Sequence, residues 1–137
     1  MNTDCIFCKI GNGDIESYTV YEDDFLTAFL DANPVSRGHT LIIPKQHYEN
    51  VYDIPSDLLE GIIRVAKNLA QKYMISLAPT GINILHSSGS DAQQTVFHFH
   101  MHLVPRYKDD GITLGFHQYA KPEIDVKEVF EEIKPSL

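Results

Sequence analysis

The strongest chemical signal in the chain is the segment His98-Phe99-His100-Met101-His102-Leu103-Val104, in which three histidines alternate with apolar residues. Such alternation is typical of a β-strand, whose successive side chains point to opposite faces of a sheet. The strand would place three imidazoles about 7 Å apart on one face, and its apolar residues would enter a core. The alternative is an ordinary amphipathic strand, but the chain has only seven histidines in 137 residues, which makes this arrangement hard to attribute to chance.

Imidazoles in a row can do several kinds of chemistry near neutral pH. A neutral ring is a nucleophile and a metal ligand, and a protonated ring is an acid. The residues alone are therefore compatible with covalent catalysis and with a metal-dependent hydrolase that uses all three histidines as ligands. Because neighbouring protonated rings would repel each other, some of the three must stay neutral.

The two cysteines, Cys5 and Cys8, form the second group of residues capable of chemistry. They are the only cysteines in the chain and are separated by two residues. In a reducing compartment this spacing favours metal binding or redox chemistry over a structural disulfide. A thioredoxin-like redox pair would be accompanied by a βαβ pattern, which the sequence lacks, so the metal site is the favoured hypothesis.

Composition and charge limit the class of protein. The hydrophobic fraction of 43% and the charged fraction of 22% are typical of a globular domain, and residues 1–137 are long enough to form one domain with its own core. A net charge of −8 opposes binding to nucleic acid or to an anionic membrane surface. The N-terminus shows no signal-peptide pattern and no apolar run is long enough to span a bilayer, so we expect a cytoplasmic protein.

The periodicity of the remaining chain predicts the elements that position these groups. Apolar residues recur at three- and four-residue spacing from Ser56 to about Ile75, which predicts one long amphipathic helix. A short amphipathic C-terminal helix is predicted from Val126 to Ile133. The predicted strands are Thr19–Glu22, Phe25–Asp31, His39–Ile43, Gly81–His86 and the histidine strand. A long helix inserted among antiparallel strands predicts an α+β fold.

Several motifs together resemble the HIT (histidine triad) superfamily, in particular its Hint-like branch of small nucleotide hydrolases. The resemblance extends in order from Cys5 to Arg106. The matching segments are Phe7-Cys8-Lys9-Ile10, Phe29-Leu30-Asp31, Gly38-His39-Thr40-Leu41-Ile42-Ile43-Pro44-Lys45, Gln94-Thr95-Val96-Phe97 and the histidine segment. The resemblance implies a HIT-like fold, a homodimer whose subunits join their sheets, and a cleft for a purine nucleoside monophosphate or its conjugates.

The resemblance also implies a set of nucleotide-binding residues. The implied contacts are Asp31 with the ribose hydroxyls, Phe7 and Ile10 with the base, Gln94 and Thr95 with the phosphate, and Ser87 with one further polar group. For Phe7 and Ile10, ordinary core packing is the alternative. The loop departs from relatives at Gln93, where glycine is common, and at Ser87, where asparagine is common.

For the chemistry, the resemblance implies that His100 attacks the α-phosphorus and becomes a nucleotidyl-histidine, which water then hydrolyses. His102 would donate to the phosphate oxygens and His39 would support the triad. The predicted function is a nucleotide hydrolase or nucleotidyl transferase. The alternative is a nucleotide-binding or partner-binding module that keeps the pocket but does little chemistry, and the intact histidines favour the enzyme.

The resemblance gives the cysteine pair a specific role. Relatives with this Cys-x-x-Cys motif bind zinc, which implies one zinc per chain. The implied ligands are Cys5, Cys8, His47 and His98. A closed set of four ligands leaves no open coordination position, so the zinc would be structural. No role is predicted for His86 or His117.

Overall fold

Five strands form one antiparallel sheet in a computed structural model that describes residues 4–115 and 120–137. The strands are β1 (Thr19–Glu22), β2 (Leu26–Leu30), β3 (Thr40–Pro44), β4 (Gly81–Leu85) and β5 (Met101–Arg106). Their order across the sheet is β1-β2-β3-β5-β4, and every neighbouring pair is antiparallel. Strand β5, which carries His102, therefore lies between two other strands, whereas β4 lies at an edge.

Within the described part of the chain, three α-helices accompany the sheet. They are α1 (Ile6–Gly11), α2 (Ser56–Ser76) and α3 (Val126–Ile133), with short 3-10 turns at Ser90–Ala92 and Lys134–Ser136. The predicted α+β class, with one long helix and one short C-terminal helix, is confirmed. The N-terminal helix, which contains Cys8 and has Cys5 as its N-cap, was not predicted, because its six residues are too few to show a period. None of the helices in the described ranges combines the length and the apolar character of a membrane span.

Two apolar clusters cover the two faces of the sheet. The larger cluster joins the buried stripe of α2 to Phe99, Met101 and Leu103 of the histidine segment. The smaller one, on the opposite face, contains Phe7, Phe29, Leu41 and Ile43. The predicted alternation of the histidine segment is therefore present, since its apolar side chains pack toward α2.

The predicted start of the histidine strand at His98 is wrong, because β5 begins at Met101. Strand β3 pairs with β5 only as far as Ile42 opposite Met101. Two residues later β3 ends at Pro44, which has no backbone N–H to continue the ladder. Residues 98–100 are held instead by individual bonds, such as the one from the Phe99 N–H to the Tyr48 carbonyl at 2.6 Å.

The loop that leads into β3 requires a glycine at position 38. Gly38 has a φ of +91°, and a Cβ atom there would lie 2.6 Å from Leu77 Cδ1 and 3.1 Å from Pro105 Cγ. Only glycine combines this backbone conformation with so close an approach. The loop is thereby pressed against the end of α2 and against β5, and it delivers His39 to the histidine face of the sheet.

Candidate active site and metal centre

His100 lies at the centre of the site with one ring nitrogen already engaged. Its Nδ1 lies 2.8 Å from the carbonyl oxygen of His98, so the Nδ1–H donates and Nε2 keeps its lone pair. The edge of Phe7 packs against the ring at a centroid distance of 5.1 Å, and His100 is only 7% exposed. The result is a buried imidazole with a fixed tautomer and one unprotonated nitrogen.

His102 stands next to His100 on the same face. The ring centroids are 5.0 Å apart with an interplanar angle of 69°, which is closer than the spacing of about 7 Å along a strand. Two imidazoles at this distance can contact neighbouring atoms of one small ligand. The predicted shared polar face therefore holds for this pair.

A chain of hydrogen bonds sets the tautomer of His102. The Val35 N–H donates to His39 Nδ1 at 3.1 Å, so the proton of a neutral His39 ring is on Nε2. His39 Nε2 lies 2.9 Å from His102 Nδ1 and donates to it. A neutral His102 therefore carries its own proton on Nε2, the nitrogen that does not face His39. Asp31 Oδ2 lies 3.6 Å from His39 Nε2 and adds a negative charge beside the pair.

Burial keeps these rings neutral at pH 7. It lowers the pKa of His102 to about 4, with the neighbouring charges of His100 and His39 acting in the same direction and Asp31 opposing them. Burial also lowers the pKa values of His100 and His39. The site therefore presents neutral imidazoles, which are nucleophiles and hydrogen-bond donors rather than fixed cations.

A mainly apolar cavity of about 510 Å³ lies at the end of β2, next to the segment that carries Asp31, although Asp31 itself is not one of its lining residues. Its lining residues include Ile10 and Phe29, together with Leu30 and Ala32 on either side of Asp31 in sequence. Phe7 is not among them, since it lies buried between Phe29 and the rings of His98 and His100. A cavity of this size and character suits a small aromatic ligand.

The loop between β4 and β5 holds the remaining predicted binding residues. The Gln94 side chain is 5% exposed and bonded to the backbone: its Oε1 accepts from the Gly89 N–H at 2.8 Å, and its Nε2 donates to the carbonyls of Glu49 and Val96. Gln94 thus sets the shape of the loop. Thr95 is exposed and faces a cavity shared with His47.

Ser87 and Gln93 line a second cavity on the β4 side of the loop, together with Thr113 and Leu114. The structure does not bring Ser87 to the cavity beside Asp31. Gln93 has a left-handed φ of +72°, a backbone conformation that favours glycine.

The four predicted metal ligands converge. Their ligand atoms all lie within 4.8 Å of one another. His98 Nδ1 is 3.4 Å from Cys5 Sγ and 3.5 Å from Cys8 Sγ, and His47 Nδ1 is 3.3 Å from Cys8 Sγ. In a tetrahedral zinc site, sulfur and nitrogen ligands lie about 3.5 Å apart, so the observed spacing fits zinc.

The surroundings of His98 also fit a metal ligand. Its Nε2–H donates to the Pro44 carbonyl at 2.8 Å, which leaves Nδ1 unprotonated and directed at the two sulfur atoms. A carbonyl partner on the second nitrogen is the usual arrangement for a ligating histidine. His98 therefore faces the cysteines while His102 faces His39, so the three triad histidines do not converge on one metal.

Comparison with known proteins identifies the family. A family model described as the HIT domain matches residues 12–109. The chain belongs to the HIT domain family. The matched range contains every strand but excludes α1, Cys5, Cys8 and α3, so a single HIT domain spanning residues 1–137 stays a prediction.

Relatives of this HIT chain include named enzymes. It is 43% identical to Protein hit of Bacillus subtilis over 97% of this chain and 94% of that protein. It is 40% identical to an adenosine 5'-monophosphoramidase of Candida albicans, over 81% of this chain and 75% of that protein. An adenylylsulfatase of Arabidopsis thaliana is 34% identical over 80% of this chain and 56% of that protein. Membership of the HIT family thus supports, in broad terms, the prediction of a nucleotide hydrolase.

A solved structure bears on the metal centre. The zinc-bound histidine triad family protein of Mycobacterium smegmatis superposes with a TM-score of 0.77 at 34% identity, covering 97% of this chain and 92% of that one. Zinc is therefore found in a HIT protein of the same fold, and this HIT chain has a Cys/His cluster that could hold a metal.

One residue at the site of this HIT chain had no predicted role. His86, the residue after β4, places Nδ1 2.9 Å from the carbonyl oxygen of His100. Sequence reasoning missed it because its position opposite His100 depends on the register of β4 against β5. His117 lies outside the described residues.

Proposed function

We propose that this HIT chain hydrolyses nucleotide conjugates at the α-phosphate through a covalent intermediate on His100. The observation that supports this most directly is the bond from His100 Nδ1–H to the His98 carbonyl, which leaves Nε2 as a lone-pair donor with a fixed direction. A neutral imidazole in this tautomer is a competent nucleophile near neutral pH. The family relationship supports hydrolysis of nucleotides, and the covalent step is our proposal.

The reaction would proceed in two displacements. In the first, His100 Nε2 forms a bond to the α-phosphorus, while the bond from phosphorus to the leaving group breaks and its electron pair departs with that group. The leaving group takes a proton from solvent, and His100 carries a positive charge in the adduct. In the second, water attacks the same phosphorus, the P–N bond breaks, and the nucleoside monophosphate, a proton and neutral His100 are released.

His102 would stabilise the charge that develops on the phosphate oxygens. Its Nε2–H is available because its Nδ1 accepts from His39. A buried donor aimed at a developing charge acts more strongly than one in water. His39 would act by holding the ring and tautomer of His102, and so it would not itself need to touch the phosphate.

The apolar cavity beside Asp31 would bind the nucleoside. Ile10 and Phe29 would contact the base, and the partly buried carboxylate of Asp31 would accept from the ribose hydroxyls. Two relatives are named for adenosine-containing substrates with different leaving groups, an amine in the phosphoramidate and a sulfate in adenylyl sulfate. We therefore propose a purine nucleoside monophosphate as the recognised half of the substrate.

The remaining nucleotide-site residues would act near the phosphate or against the ring of His100. By the family resemblance Thr95 would donate its hydroxyl to the phosphate, although its exposed side chain lines the cavity shared with His47, and Gln94 would hold the loop in shape. Ser87 would contact a more distant part of the conjugate, since it lines the β4-side cavity. Phe7 would support the His100 ring from below.

One zinc per chain, held by Cys5, Cys8, His47 and His98, would fix the N-terminal segment beside the catalytic residues. His98 would be a zinc ligand, and its backbone carbonyl also orients the His100 ring. One residue thus links the proposed metal centre to the proposed nucleophile. The zinc would take no part in the reaction, because four protein ligands complete its coordination.

We further propose that the chain acts as a cytoplasmic homodimer. Edge strand β4 has no second neighbour in the described sheet, and α2 exposes Ile63, Met74 and Ile75 on the flank that does not face its own sheet. An isologous interface through these elements would join the two sheets and cover the exposed flank.

Hydrolysis of defined conjugates tests the proposed function. Purified chain is incubated with adenosine 5'-phosphoramidate and with adenylyl sulfate, and release of AMP is followed by chromatography. We expect the wild type to release AMP and His100→Ala to bind AMP without turnover. A wild-type chain that binds AMP but turns over neither conjugate would favour the binding module instead.

A further inference from the structure

We propose that His86 is a positioning residue that fixes the backbone of the nucleophile His100. This inference rests on the proposed function, because it assigns His86 to the covalent step on His100. The contact that motivates it is the bond from His86 Nδ1–H to the carbonyl oxygen of His100 at 2.9 Å. The polar contacts of the His86 ring are with the His100 carbonyl and with Ser88 Oγ, so we assign its effect on the reaction to His100.

The bond lies where the regular ladder of the sheet stops. Strand β4 pairs with β5 as far as Leu85 opposite His102, and the chain then leaves the sheet as the loop of residues 86–95. Strand β3 has also ended its pairing at Met101. The peptide after His100 therefore lies just beyond both ladders, and the His86 side chain supplies a donor where the backbone of β4 no longer can. Buried carbonyl groups need such a partner.

A second bond fixes the tautomer and orientation of His86. The Val51 N–H donates to Ser88 Oγ at 3.0 Å, and Ser88 Oγ lies 2.5 Å from His86 Nε2. Since Nδ1 must carry a proton to reach the His100 carbonyl, the Ser88 hydroxyl donates to Nε2 of the neutral ring. The imidazole is thus held at both nitrogens, between the loop and the strand.

Stacking fixes the plane of the ring. His86 lies on the face of Phe99 with a centroid distance of 4.1 Å and an interplanar angle of 22°. Phe99 itself is fully buried in the cluster under α2. His86 therefore has two separable contributions: a hydrogen bond to His100 and a stacking contact with the core.

The two hydrogen bonds to His100 hold its side chain and its backbone separately. The His98 carbonyl holds the ring through Nδ1, and His86 holds the peptide through the carbonyl oxygen. Together they define the line along which Nε2 meets phosphorus. A displacement of about 1 Å in such a geometry can cost about a hundredfold in rate. Loss of the His86 bond should therefore slow the attack without weakening nucleotide binding.

Two substitutions separate the hydrogen bond from the stacking contact. In His86→Asn, the side-chain amide nitrogen takes the place of Nδ1 and keeps the donor, but the ring is lost. In His86→Phe, the ring and its stacking on Phe99 are kept, but both nitrogens are lost. Ser90→Ala, in the same loop, is the control variant. Each protein is measured for thermal stability, for AMP affinity by calorimetry, and for the single-turnover rate on adenosine 5'-phosphoramidate.

We expect the rate to follow the hydrogen bond to His100 rather than the thermal stability. His86→Phe keeps the stacking contact but leaves the His100 carbonyl without this donor, so it should lose some thermal stability and slow the single-turnover step by about 10- to 100-fold, with AMP affinity unchanged. His86→Asn should be less stable but retain most of the rate. The inference is overturned if His86→Phe turns over like the wild type, or if the rates of both variants simply follow their stabilities. If the wild type binds AMP but shows no turnover, its pocket is formed and the result overturns the proposed function instead.

Discussion

His39 Nε2 and His102 Nδ1 are 2.9 Å apart and share one proton, which His39 donates. The direction of this bond follows from the Val35 N–H, which occupies the other nitrogen of His39. A backbone group in the loop before β3 thereby determines which nitrogen of His102 presents a proton. Protonation of His102 on Nδ1 would place two N–H groups against each other, so the pair works only while His102 is neutral.

The first prediction concerns stability at low pH. The pKa of His102 is about 4 in the folded chain against 6.5 ordinarily, so between these values the unfolded chain binds a proton that the folded chain does not. The free energy of unfolding must therefore fall as pH falls through this window. In His102→Asn the amide oxygen can still accept from His39 but cannot titrate. Urea denaturation from pH 7 to pH 4.5 should show a steeper loss for the wild type, and equal pH slopes would contradict the prediction.

The second prediction concerns the metal centre. Protein purified without chelator should contain one zinc per chain by elemental analysis, and Cys5→Ser or Cys8→Ser should lose it. Loss of a metal that contributes about 3 kcal/mol would lower Tm by about 10 °C in a chain of this size. EDTA should lower the Tm of the wild type but not that of the variants. Lys9→Ala, on the same helix, is the control, and full zinc retention in the double cysteine variant would refute the ligand assignment.

Much of the fold follows from local pattern. Helix α2 has a strong period over 21 residues, and the predicted helix from Ser56 to about Ile75 differs from the observed Ser56–Ser76 by one residue. Helix α3 matches its predicted bounds because Asp125 caps its N-terminus and Pro135 follows its end. The predicted start of β5 was wrong because the start depends on where two partner strands, distant in sequence, stop pairing with it. No local sequence pattern contains that information.

The site also contains some features that the sequence predicts and others that depend on the fold. The spacing of His98, His100 and His102 predicts a shared face, and the resemblance adds His39 and Asp31, which the structure brings together. The role of His86 could not be predicted, because a lone histidine after a strand becomes meaningful only when the register places it opposite a specific carbonyl. The engagement of Gln94 with three backbone groups likewise depends on the fold of the loop.

The third prediction concerns Gly38. Gly38→Ala introduces a Cβ atom into left-handed backbone and against Leu77 and Pro105, so it should lower the free energy of unfolding by about 2 kcal/mol or more. It should also displace His39 and slow turnover. Gly13→Ala is a matched control, because Gly13 has a similar φ of +87° but no atom within 4 Å of the added Cβ. Equal costs for the two variants, measured by urea denaturation, would show that the contact with Leu77 does not matter.

The fourth prediction concerns assembly. Light scattering at micromolar concentration should give twice the 15.5 kDa mass of one chain. Ile63→Lys should shift the mass toward that of a monomer, because a charge would be buried in the proposed interface. Val20→Lys changes an exposed apolar residue on β1, at the opposite edge of the sheet from β4, and should leave the dimer intact. A wild-type monomer with full activity would contradict the prediction.

The fifth prediction concerns the covalent step on His100. Two in-line displacements at one phosphorus retain configuration, whereas direct attack by water inverts it, so hydrolysis of a chirally labelled α-phosphorothioate conjugate should proceed with retention. His100→Ala should abolish adduct formation but keep AMP binding, because the base and ribose contacts lie elsewhere. His102→Ala should slow the reaction without removing the attacking atom, since it deletes only a donor to the phosphate.

Intact-mass measurement after rapid quenching without acid should detect the adduct in the wild type. Failure to detect it would not decide the matter, because hydrolysis can outrun formation, but clean inversion at phosphorus would eliminate a nucleotidyl-His100 intermediate.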